Sequence, residues 1–460
     1  MLTYSASLTD MEILKLSEIA KACGGTFNND CDVCGVCIDT RKITKGCLFV
    51  CIKGERFDAH QFAQEALDKG AAAVMIHSDA DFDGNYVRVA DTSRALLDLS
   101  GYYRSKFNLH LVGLTGSVGK TTTKEFTYLV VSAKYNAIKT QGNLNNEIGL
   151  PQMLFQIDGD TQAAVIEMGM NHFGEIHRLS TAANPTVALI TNVGTSHIEN
   201  LGSREGILKA KLEILDGLEK GSTLILNGDN DMLSTVKDED YNIVFFGIEN
   251  GDFRAEKIVE QDGATSFDIC YYGKKQRVVI PTIGIHNVYN ALAAFAVGYA
   301  LNIDAQMCAD ALKNYVPEGM RQKSVMVNGV TFIEDCYNAS PDSMRAAITT
   351  LANTKGNKKI AVLSDMLELG EYSKQAHTDV GKMAADAKID YLLTVGDMSN
   401  FIACGAMENG MKNVFHFDTK EELANKLLEI LEVGDTAIFK ASRGMKLEDV
   451  IHSVYDRWGK

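Results

Sequence analysis

Short apolar runs alternate with helical patterns along most of the chain. Between residues 108 and 316 each run has the length of a buried strand, and Phe126, Leu129 and Val130 follow the first run at helix spacing. Strands that alternate with helices form a largely parallel sheet with both faces covered. The pattern predicts central strands at Leu109–Leu114, Ala163–Glu167, Thr186–Thr191, Thr223–Leu226 and Ile243–Phe246.

Both ends of the chain show the same alternation on a smaller scale. In residues 1–107 it predicts helices at Ile13–Ala22, Gln61–Lys69 and Thr92–Lys106, with strands at Cys47–Ile52 and Ala72–Ile76. In residues 317–460 it predicts strands at Val330–Glu334, Lys359–Leu363, Tyr391–Val395 and Thr436–Phe439, and helices at Asp342–Leu351, Lys374–Ala387, Lys420–Leu431 and Leu447–Tyr455. A polar strand-like insertion, residues 253–280, and the helix Asn287–Ala300 complete the middle of the chain.

Length and composition fit this three-part division. A chain of 460 residues has room for about three domains of about 100–150 residues, and 46% hydrophobic residues with 5 prolines indicate packed globular folds. We therefore predict an α/β protein with a small N-terminal domain (1–107), a central doubly wound domain (108–316) and a C-terminal Rossmann-like domain (317–460).

Charge and hydropathy exclude several classes of protein. The net charge of −15 argues against general nucleic-acid binding through a basic surface. The chain has no 18-residue apolar run, and its first residues lack a basic-then-apolar signal layout. We expect a cytoplasmic protein without membrane insertion, whose 10 cysteines are mostly small buried hydrophobes.

Cys31, Cys34 and Cys37 form a C-x₂-C-x₂-C pattern that is typical of metal or iron–sulfur sites. No fourth ligand follows at a matching spacing, so we interpret the pattern as a coincidence.

The segment after the first central strand has the form of a nucleotide phosphate loop. A turn at residues 115–119 leads into a helical pattern opened by Lys-Thr, and backbone N–H groups in such a turn face an anion. The motif usually has glycine five positions before Gly119, where this chain has Leu114; the alternative is a tight turn with a solvated lysine. The predicted nucleotide contacts are Thr115, Gly116, Ser117, Val118, Gly119, Lys120, Thr121 and Thr122. The central domain is then of the P-loop ATPase type.

Three polar side chains follow other central strands, where functional groups of such sheets gather. Glu167 ends a strand, at a place where Mg²⁺ is held in nucleotide-binding folds, although a helix-capping role is an alternative, and the Thr121 hydroxyl can also ligate Mg²⁺. His197 follows the next strand, and outside this context it would be a structural histidine. Lys211 is one of two helix lysines, with Lys209, that are solvated in the simplest interpretation. If Lys211 is buried instead, its neutral amine can capture CO₂ as a carbamate and act as an oxygen ligand.

Several amide and charged residues are candidates for substrate contacts. Thr140, Asn143, Asn145 and Asn146 suit sugar hydroxyls and acetamido groups, or form a turn. Asn287 and Asn290 lie at i, i+3 on a helix and can hold an adenine edge. Thr40 and Arg41 follow a strand and fit either a phosphate or uracil site or a plain surface turn. Arg321 lies in the segment between the last two domains and can reach phosphates across a cleft. Asp335 and Asn338 lie at a strand end before a helix.

Together these stretches resemble the ATP-dependent Mur ligases of peptidoglycan synthesis. TGSVGKTTT is similar to the family's phosphate loop, NLNNEIGLP to its muramyl-side loop and EMGMNHFGEI to its metal-ligand strand. TNVGTSHIENLGSREGILKAKLEI resembles the region of the metal-ligand histidine and the carbamylated lysine, and GIHNVYNALAA and DCYNASPDSM resemble nucleotide contacts. SDMLELGEYSKQAH and FKASRGMKLEDVI are similar to the members that add a dipeptide.

The resemblance implies a monomeric ligase that uses ATP and two Mg²⁺ ions, with Lys120, Glu167, His197 and a carbamate on Lys211 at its centre. It implies that D-alanyl-D-alanine is joined to UDP-N-acetylmuramoyl-tripeptide through an acyl phosphate. The N-terminal domain would hold the UDP part, the central domain ATP, and the C-terminal domain the dipeptide. Location alone makes Asp365, Glu368 and Arg443 candidates for dipeptide binding.

Other functions fit parts of the pattern. A sister ligase that adds a single amino acid, or folylpolyglutamate synthase, would share the ATP core. A phosphate-loop switch or scaffold protein would need no carboxylate substrate at all.

Overall fold

The computed structural model describes residues 11–55, 57–317 and 319–458. The first ten residues of the predicted N-terminal domain lie outside the described residues. The described chain forms three large sheets in chain order, and helices lie between their strands. The α/β fold class predicted from the alternation is confirmed.

The N-terminal sheet has five strands in the order β2-β7-β6-β5-β4, and β1 pairs with β3 beside it. Its strands are β1 Leu14–Lys15, β2 Thr26–Phe27, β3 Asp32–Val33, β4 Gly35–Cys37, β5 Cys47–Val50, β6 Ala73–Ile76 and β7 Tyr86–Arg88, and its helices are α1 Leu16–Ala22, α2 Ala63–Asp68 and α3 Thr92–Arg104. The helix predicted from Ile13 begins later, because residues 14 and 15 pair with residues 32 and 33 as a short strand.

Helix α3 joins the first two domains. Asp91 caps its start by accepting the N–H groups of Ser93 and Arg94. Near its other end, Tyr103 is fully buried and donates a 2.7 Å hydrogen bond to the carbonyl of Ile157 in the central domain. One apolar core runs through both domains, so the N-terminal unit is packed firmly against the central one.

The central sheet has nine strands in the order β16-β15-β14-β13-β12-β11-β8-β10-β9. Its strands are β8 His110–Thr115, β9 Ala137–Lys139, β10 Ala163–Glu167, β11 Val187–Ile190, β12 Thr223–Asn227, β13 Asn242–Gly247, β14 Phe253–Gln261, β15 Ala264–Tyr271 and β16 Lys274–Ile280. Its helices are α4 Lys120–Ser132, α5 Gly149–Leu154, α6 Glu175–Ala183, α7 Ile198–Leu201, α8 Arg204–Leu212, α9 Ile285–Ala300 and α10 Ala305–Leu312.

Strands β8 to β13 run parallel to their sheet neighbours, and β14 is parallel to β13. Strands β14, β15 and β16 continue the sheet as an antiparallel meander. All five predicted central strands are present within two residues of their predicted limits. Because β8, β10 and β11 are neighbours in register, the residues that follow them meet at one edge of the sheet.

The C-terminal sheet has six strands in the order β17-β18-β22-β19-β20-β21. Its strands are β17 Lys323–Val327, β18 Val330–Glu334, β19 Lys359–Ser364, β20 Tyr391–Val395, β21 Val414–Phe417 and β22 Thr436–Lys440, and its helices are α11 Pro341–Asn353, α12 Ser373–Asp386, α13 Asn400–Glu408, α14 Lys420–Ile430 and α15 Glu448–Trp458. The sequence patterns missed β17, β21 and α13. Strands β17 and β21 lie at the two sheet edges and are half exposed, so they lack a continuous apolar run.

Two structural features concern membrane insertion and a metal site at the cysteine pattern. Among the described residues, no helix is both long and apolar enough to cross a bilayer. The thiols of the C-x₂-C-x₂-C pattern are directed to separate backbone carbonyls: Cys31 to Ala72, Cys34 to Lys45 and Cys37 to Asp39. No group of three or more His, Cys, Asp or Glu side chains in the described parts of the chain is arranged to hold a metal ion.

Candidate active site

The turn between β8 and α4 is packed tightly against the loop that follows β11. A Cβ on Gly116 would lie 1.8 Å from the Thr191 hydroxyl oxygen, so only glycine fits there. Gly119 has a left-handed backbone with φ of 80° and precedes the first residue of α4, Lys120. The Lys120 ammonium donates a 2.9 Å hydrogen bond to the carbonyl oxygen of Gly116. The strand, glycine turn and helix predicted for a phosphate loop are therefore all present.

The backbone N–H groups of this turn converge on one oxygen atom. Ser117 and Val118 donate to the side-chain oxygen of Asn192 at 3.0 and 2.9 Å. Successive N–H groups that point at one spot form an anion-binding concavity. The Asn192 amide therefore takes up donors that a nucleotide phosphate would need.

Glu167, at the end of β10, lies directly beside the phosphate loop. Its side chain is 2% exposed and accepts a 2.9 Å hydrogen bond from the Thr121 hydroxyl and a 2.8 Å hydrogen bond from the Asn145 amide. Its backbone N–H donates to the Thr140 hydroxyl at 2.9 Å. The carboxylate is thus fixed by α4 on one side and by the 139–146 loop on the other.

His197 and Lys211 lie near the same centre. His197 has a left-handed backbone, φ 62°, and its Nδ1 atom is 2.7 Å from a Glu368 carboxylate oxygen in the C-terminal domain, at an angle that is not that of a hydrogen bond. Burial lowers the pKa of His197, and the positive charges of Lys120 and Lys211 lower it further. All three side chains therefore share one electrostatic environment.

Lys211 is 2% exposed, whereas Lys209 lies on the exposed side of the same helix, over the Phe173 ring. No other described residue makes a hydrogen bond or ion pair with the Lys211 ammonium. Burial lowers its pKa well below the ordinary value, and the neighbouring Lys120 adds to the shift. The solvated interpretation is therefore wrong for Lys211 and correct for Lys209.

The other wall of this region is formed by helix α9. Asn290 accepts a 2.9 Å hydrogen bond from the Thr123 hydroxyl and donates to the side-chain oxygen of Asn287 at 3.2 Å. Asn287 in turn donates to the Ile283 carbonyl at 2.7 Å. Both amides line the cleft, but their hydrogen bonds also tie α9 to the phosphate-loop helix.

The C-terminal domain closes the cleft from the opposite side. Arg321 stacks on the Tyr337 ring, with its guanidinium carbon 3.8 Å from the ring centroid. The Lys440 ammonium donates to the Asp335 carboxylate at 2.7 Å and to the Asn338 carbonyl at 3.1 Å. The cleft between the two domains has a volume of about 1140 Å³ and brings together most of the predicted central and C-terminal site residues.

Comparisons with known proteins match this architecture in chain order. The models of the Mur ligase family, catalytic domain, the Mur ligase middle domain and the Mur ligase, glutamate ligase domain match residues 32–99, 114–298 and 320–443. A UDP-N-acetylmuramoyl-tripeptide--D-alanyl-D-alanine ligase from Bacillus subtilis is 40% identical over 92% of this chain and 93% of its own length. The chain belongs to the Mur ligase family.

Solved Mur ligase structures agree with this assignment. A MurF structure from Acinetobacter baumannii is 31% identical, with a TM-score of 0.92 over 97% of this chain and 100% of its own. A MurF ligase from Thermotoga maritima, solved in complex with ADP, is 28% identical with a TM-score of 0.85, covering 92% of this chain and 97% of its own.

The predicted sugar-binding residues of this Mur ligase divide into two groups. Asn143, Asn145 and Asn146 line the cleft, whereas Thr140 is buried beneath it. Asn146 also accepts the N–H groups of Ile148 and Gly149, as the turn-forming interpretation expects. Asn145 is instead engaged with Glu167.

The remaining candidates lie at varying distances from the centre. Arg41 is exposed in the N-terminal domain, outside the cleft, and forms an ion pair with Asp39 at 2.6 Å; Thr40 precedes it. Asp365 is buried and accepts the Ser399 N–H at 2.7 Å, so it supports the loop rather than facing the cleft. Glu368 and Arg443 do line the cleft, and Arg443 pairs with Glu448 at 2.6 Å.

The sequence patterns missed three residues that line the cleft, Asn192, Asp342 and Lys440, and the buried Lys124 behind it. Asn192 follows a predicted strand, so its position at a strand end was the available signal. Lys124 and Lys440 are charged residues inside apolar patterns and are 0% and 3% exposed. Lys124 donates to the Thr140 carbonyl at 2.7 Å and so supports the residue that holds the Glu167 N–H.

Proposed function

We propose that this Mur ligase joins D-alanyl-D-alanine to UDP-N-acetylmuramoyl-tripeptide at the expense of ATP, forming the pentapeptide precursor of peptidoglycan. The observation that carries the proposal is the meeting of Thr121, Glu167 and the phosphate loop at the mouth of an interdomain cleft. The choice of the dipeptide as substrate is supported by the Bacillus subtilis relative, which carries that name at 40% identity over nearly the whole chain.

The residues at this centre fit Mg²⁺. Carboxylate and hydroxyl oxygens are the ligands that Mg²⁺ prefers, and those of Thr121 and Glu167 already lie 2.9 Å apart. His197 and a carbamate on Lys211 would complete a second Mg²⁺ site. Two Mg²⁺ ions there would neutralise negative charge on the transferring phosphoryl group.

The state of Lys211 supports the carbamate. A buried ammonium beside the Lys120 charge, with no described partner, is costly to retain. The neutral amine can attack CO₂ to form a C–N bond, and loss of one proton from nitrogen leaves an anionic carbamate. The product carries a negative charge beside Lys120 instead of a positive one.

The chain's own groups account for the first chemical step. Lys120 would leave the Gly116 carbonyl to contact ATP, and the N–H groups of Ser117 and Val118 would bind phosphate oxygens. The terminal carboxylate of the tripeptide would attack the γ-phosphorus, breaking the bond to ADP and giving an acyl phosphate. Such a transfer needs charge neutralisation and alignment more than covalent help from the protein.

The substrates would enter from three sides. Thr40 and Arg41 would contact the UDP part, and the cleft-facing Asn143 and Asn146 the sugar. Asn287, Asn290, Asp335 and Asn338 line the space proposed for the nucleoside end of ATP, and Arg321 would reach its phosphates. Glu368 and Arg443 would receive the dipeptide, with Arg443 suited to its carboxylate. Since water would destroy the acyl phosphate, closure of the cleft should precede chemistry.

Phosphate release from ATP tests this function. We expect release that requires both UDP-N-acetylmuramoyl-tripeptide and D-alanyl-D-alanine. Release with a single amino acid in place of the dipeptide would indicate a sister ligase. Release from ATP alone, or no release with any pair of substrates, would favour a switch or scaffold protein.

A further inference from the structure

Asp342 directs a buried carboxylate oxygen at the phosphate loop without a partner. It lies in the first turn of α11, and no hydrogen bond reaches its Oδ2 atom from any residue that the structure describes. A Cβ built on Gly194 would lie 2.0 Å from that oxygen, so the carboxylate packs directly against the Gly194 backbone. The Gly194 N–H donates to the Ser117 hydroxyl of the phosphate loop at 3.0 Å.

Helix capping does not explain this carboxylate. Ser340 and Ser343 form a reciprocal capping box at the start of α11, with Pro341 between them. Asp342 therefore accepts no backbone N–H from its own helix. An acidic residue in a first turn is favoured by the helix dipole, but an exposed one would serve as well, as Glu421 does in α14.

Arg204 is a cation whose pKa the Asp342 charge affects, and it is already engaged by other partners. Its guanidinium makes two hydrogen bonds to Asp231 and a third to the Val193 carbonyl. Asp231 is also the main cause of the raised pKa of Arg204, with Asp342 contributing less. A carboxylate oxygen that is buried without a donor is unfavourable, so a ligand that brings positive charge to Oδ2 would relieve that cost.

We infer that Asp342 is a catalytic residue that binds the ammonium of the incoming dipeptide and accepts its proton. This inference rests on the proposed ligase function. ATP and the acyl phosphate are anionic at this end of the cleft. The dipeptide amine is the group that must reach the acyl carbon and brings both positive charge and hydrogen-bond donors. The C-terminal domain, which supplies Asp342, also supplies Glu368 and Arg443.

The dipeptide nitrogen loses two protons during the step. One ammonium proton first moves to the Asp342 carboxylate, and the neutral amine then forms the C–N bond to the acyl carbon. Collapse of the tetrahedral intermediate breaks the bond between the acyl carbon and the oxygen that carries the phosphoryl group, and phosphate leaves with the electron pair. A second proton passes from nitrogen to the departing phosphate, and Asp342 returns its proton to solvent.

The test uses Asp342→Asn in the full-length enzyme, with Glu421→Gln as the control that removes first-turn charge elsewhere in the same domain. We expect Asp342→Asn to lower kcat/KM for D-alanyl-D-alanine about 100-fold at neutral pH, and Glu421→Gln to leave it unchanged. The loss should shrink as pH rises toward the pKa of the dipeptide amine, because more of it is then already neutral. A purely structural role for Asp342 would give no such pH dependence.

A second measurement isolates the first chemical step. ATP labelled with ¹⁸O and incubated with the tripeptide alone scrambles its label when the acyl phosphate forms reversibly. We expect Asp342→Asn to scramble label at the wild-type rate and to bind ADP at least as tightly as wild type. Equal thermal midpoints would show that the variant is folded.

Different results would contradict the acyl-phosphate ligase function and the catalytic role of Asp342. Absence of scrambling in the wild type would contradict the acyl-phosphate function itself. Wild-type scrambling with dipeptide kinetics within threefold of wild type in Asp342→Asn would overturn only the role of Asp342. Lost scrambling together with a higher Mg²⁺ requirement would also overturn it, and would assign the carboxylate to a metal ion.

Discussion

The Thr121 hydroxyl donates a 2.9 Å hydrogen bond to the Glu167 carboxylate and so joins the first turn of α4 to the end of β10. The two residues are 46 positions apart in the chain but lie on elements whose strands, β8 and β10, are neighbours. This contact aligns the phosphate loop with the carboxylate proposed to hold Mg²⁺.

Replacing Thr121 should separate nucleotide binding from metal use. We expect Thr121→Ala to lower kcat about 100-fold, as is typical of losing one group that stabilises transition-state charge, and to raise the Mg²⁺ concentration needed for half-maximal activity. Thr121→Ser keeps the hydroxyl and should stay near wild type. A Mg²⁺ titration of phosphate release checks both variants, and equal requirements in the two would contradict the assignment.

Lys211→Ala should abolish turnover, because the oxygens of the proposed carbamate are lost with the side chain. Small carboxylates such as acetate should then restore part of the activity by occupying the same space. Lys209→Ala is the matched control from the exposed side of the same helix and should keep full activity. Full turnover by Lys211→Ala in CO₂-free buffer would end the carbamate proposal.

Lys211 also predicts a pH dependence of stability. Its pKa in the folded protein lies well below the ordinary 10.5, so the unfolded chain binds more protons between those two values. Without CO₂, stability should therefore rise with pH through that window, up to about pH 10.5. Lys211→Met removes the titrating group, and its advantage in thermal midpoint over wild type should shrink over the same range. A constant difference would show that folding does not lower the pKa of Lys211.

Asn192→Ala should bind ADP more tightly than the wild type, by up to about tenfold. The Ser117 and Val118 N–H groups now donate to the Asn192 oxygen, and releasing that amide costs on the order of one hydrogen bond per donor. Asn192→Asp should weaken ADP binding, since its negative charge would oppose phosphate. Calorimetric titration measures both. Weaker binding by the alanine variant would show that Asn192 chiefly maintains the shape of the loop.

Lys440→Met should destabilise the protein by about 3–5 kcal/mol, because Asp335 would be left as a buried carboxylate without its cation. The double variant Lys440→Met, Asp335→Asn should recover much of that loss. Urea unfolding of the four combinations measures the coupling between the two residues. Additive effects would contradict a direct pairing.

Local signals in the sequence predicted the parts of the site that depend on local structure. The phosphate loop follows from a strand, a glycine turn and a Lys-Thr helix start, and Glu167 follows from its place at a strand end. The five central strands were also predictable, since buried parallel strands are continuous apolar runs.

Contacts between distant segments were not predictable in this way. The approach of Glu368 to His197 depends on how two domains meet, and the Asn192 contacts depend on a loop 74–75 residues from its partners. The burial of Lys211 is likewise set by the packing of its helix, because Lys209 lies two residues away in the same stretch of sequence and is exposed. Asp342 was assigned only to a helix, since a first-turn acidic residue usually needs no further explanation.

The most direct test of the ligase function follows one oxygen atom. Tripeptide substrate labelled with ¹⁸O in its terminal carboxylate is converted with ATP and D-alanyl-D-alanine, and the phosphate and peptide are analysed by mass spectrometry. Transfer of one ¹⁸O atom to each phosphate, together with a pentapeptide product, is the result expected for an acyl-phosphate ligase. Unlabelled phosphate, or phosphate released without pentapeptide, would contradict it.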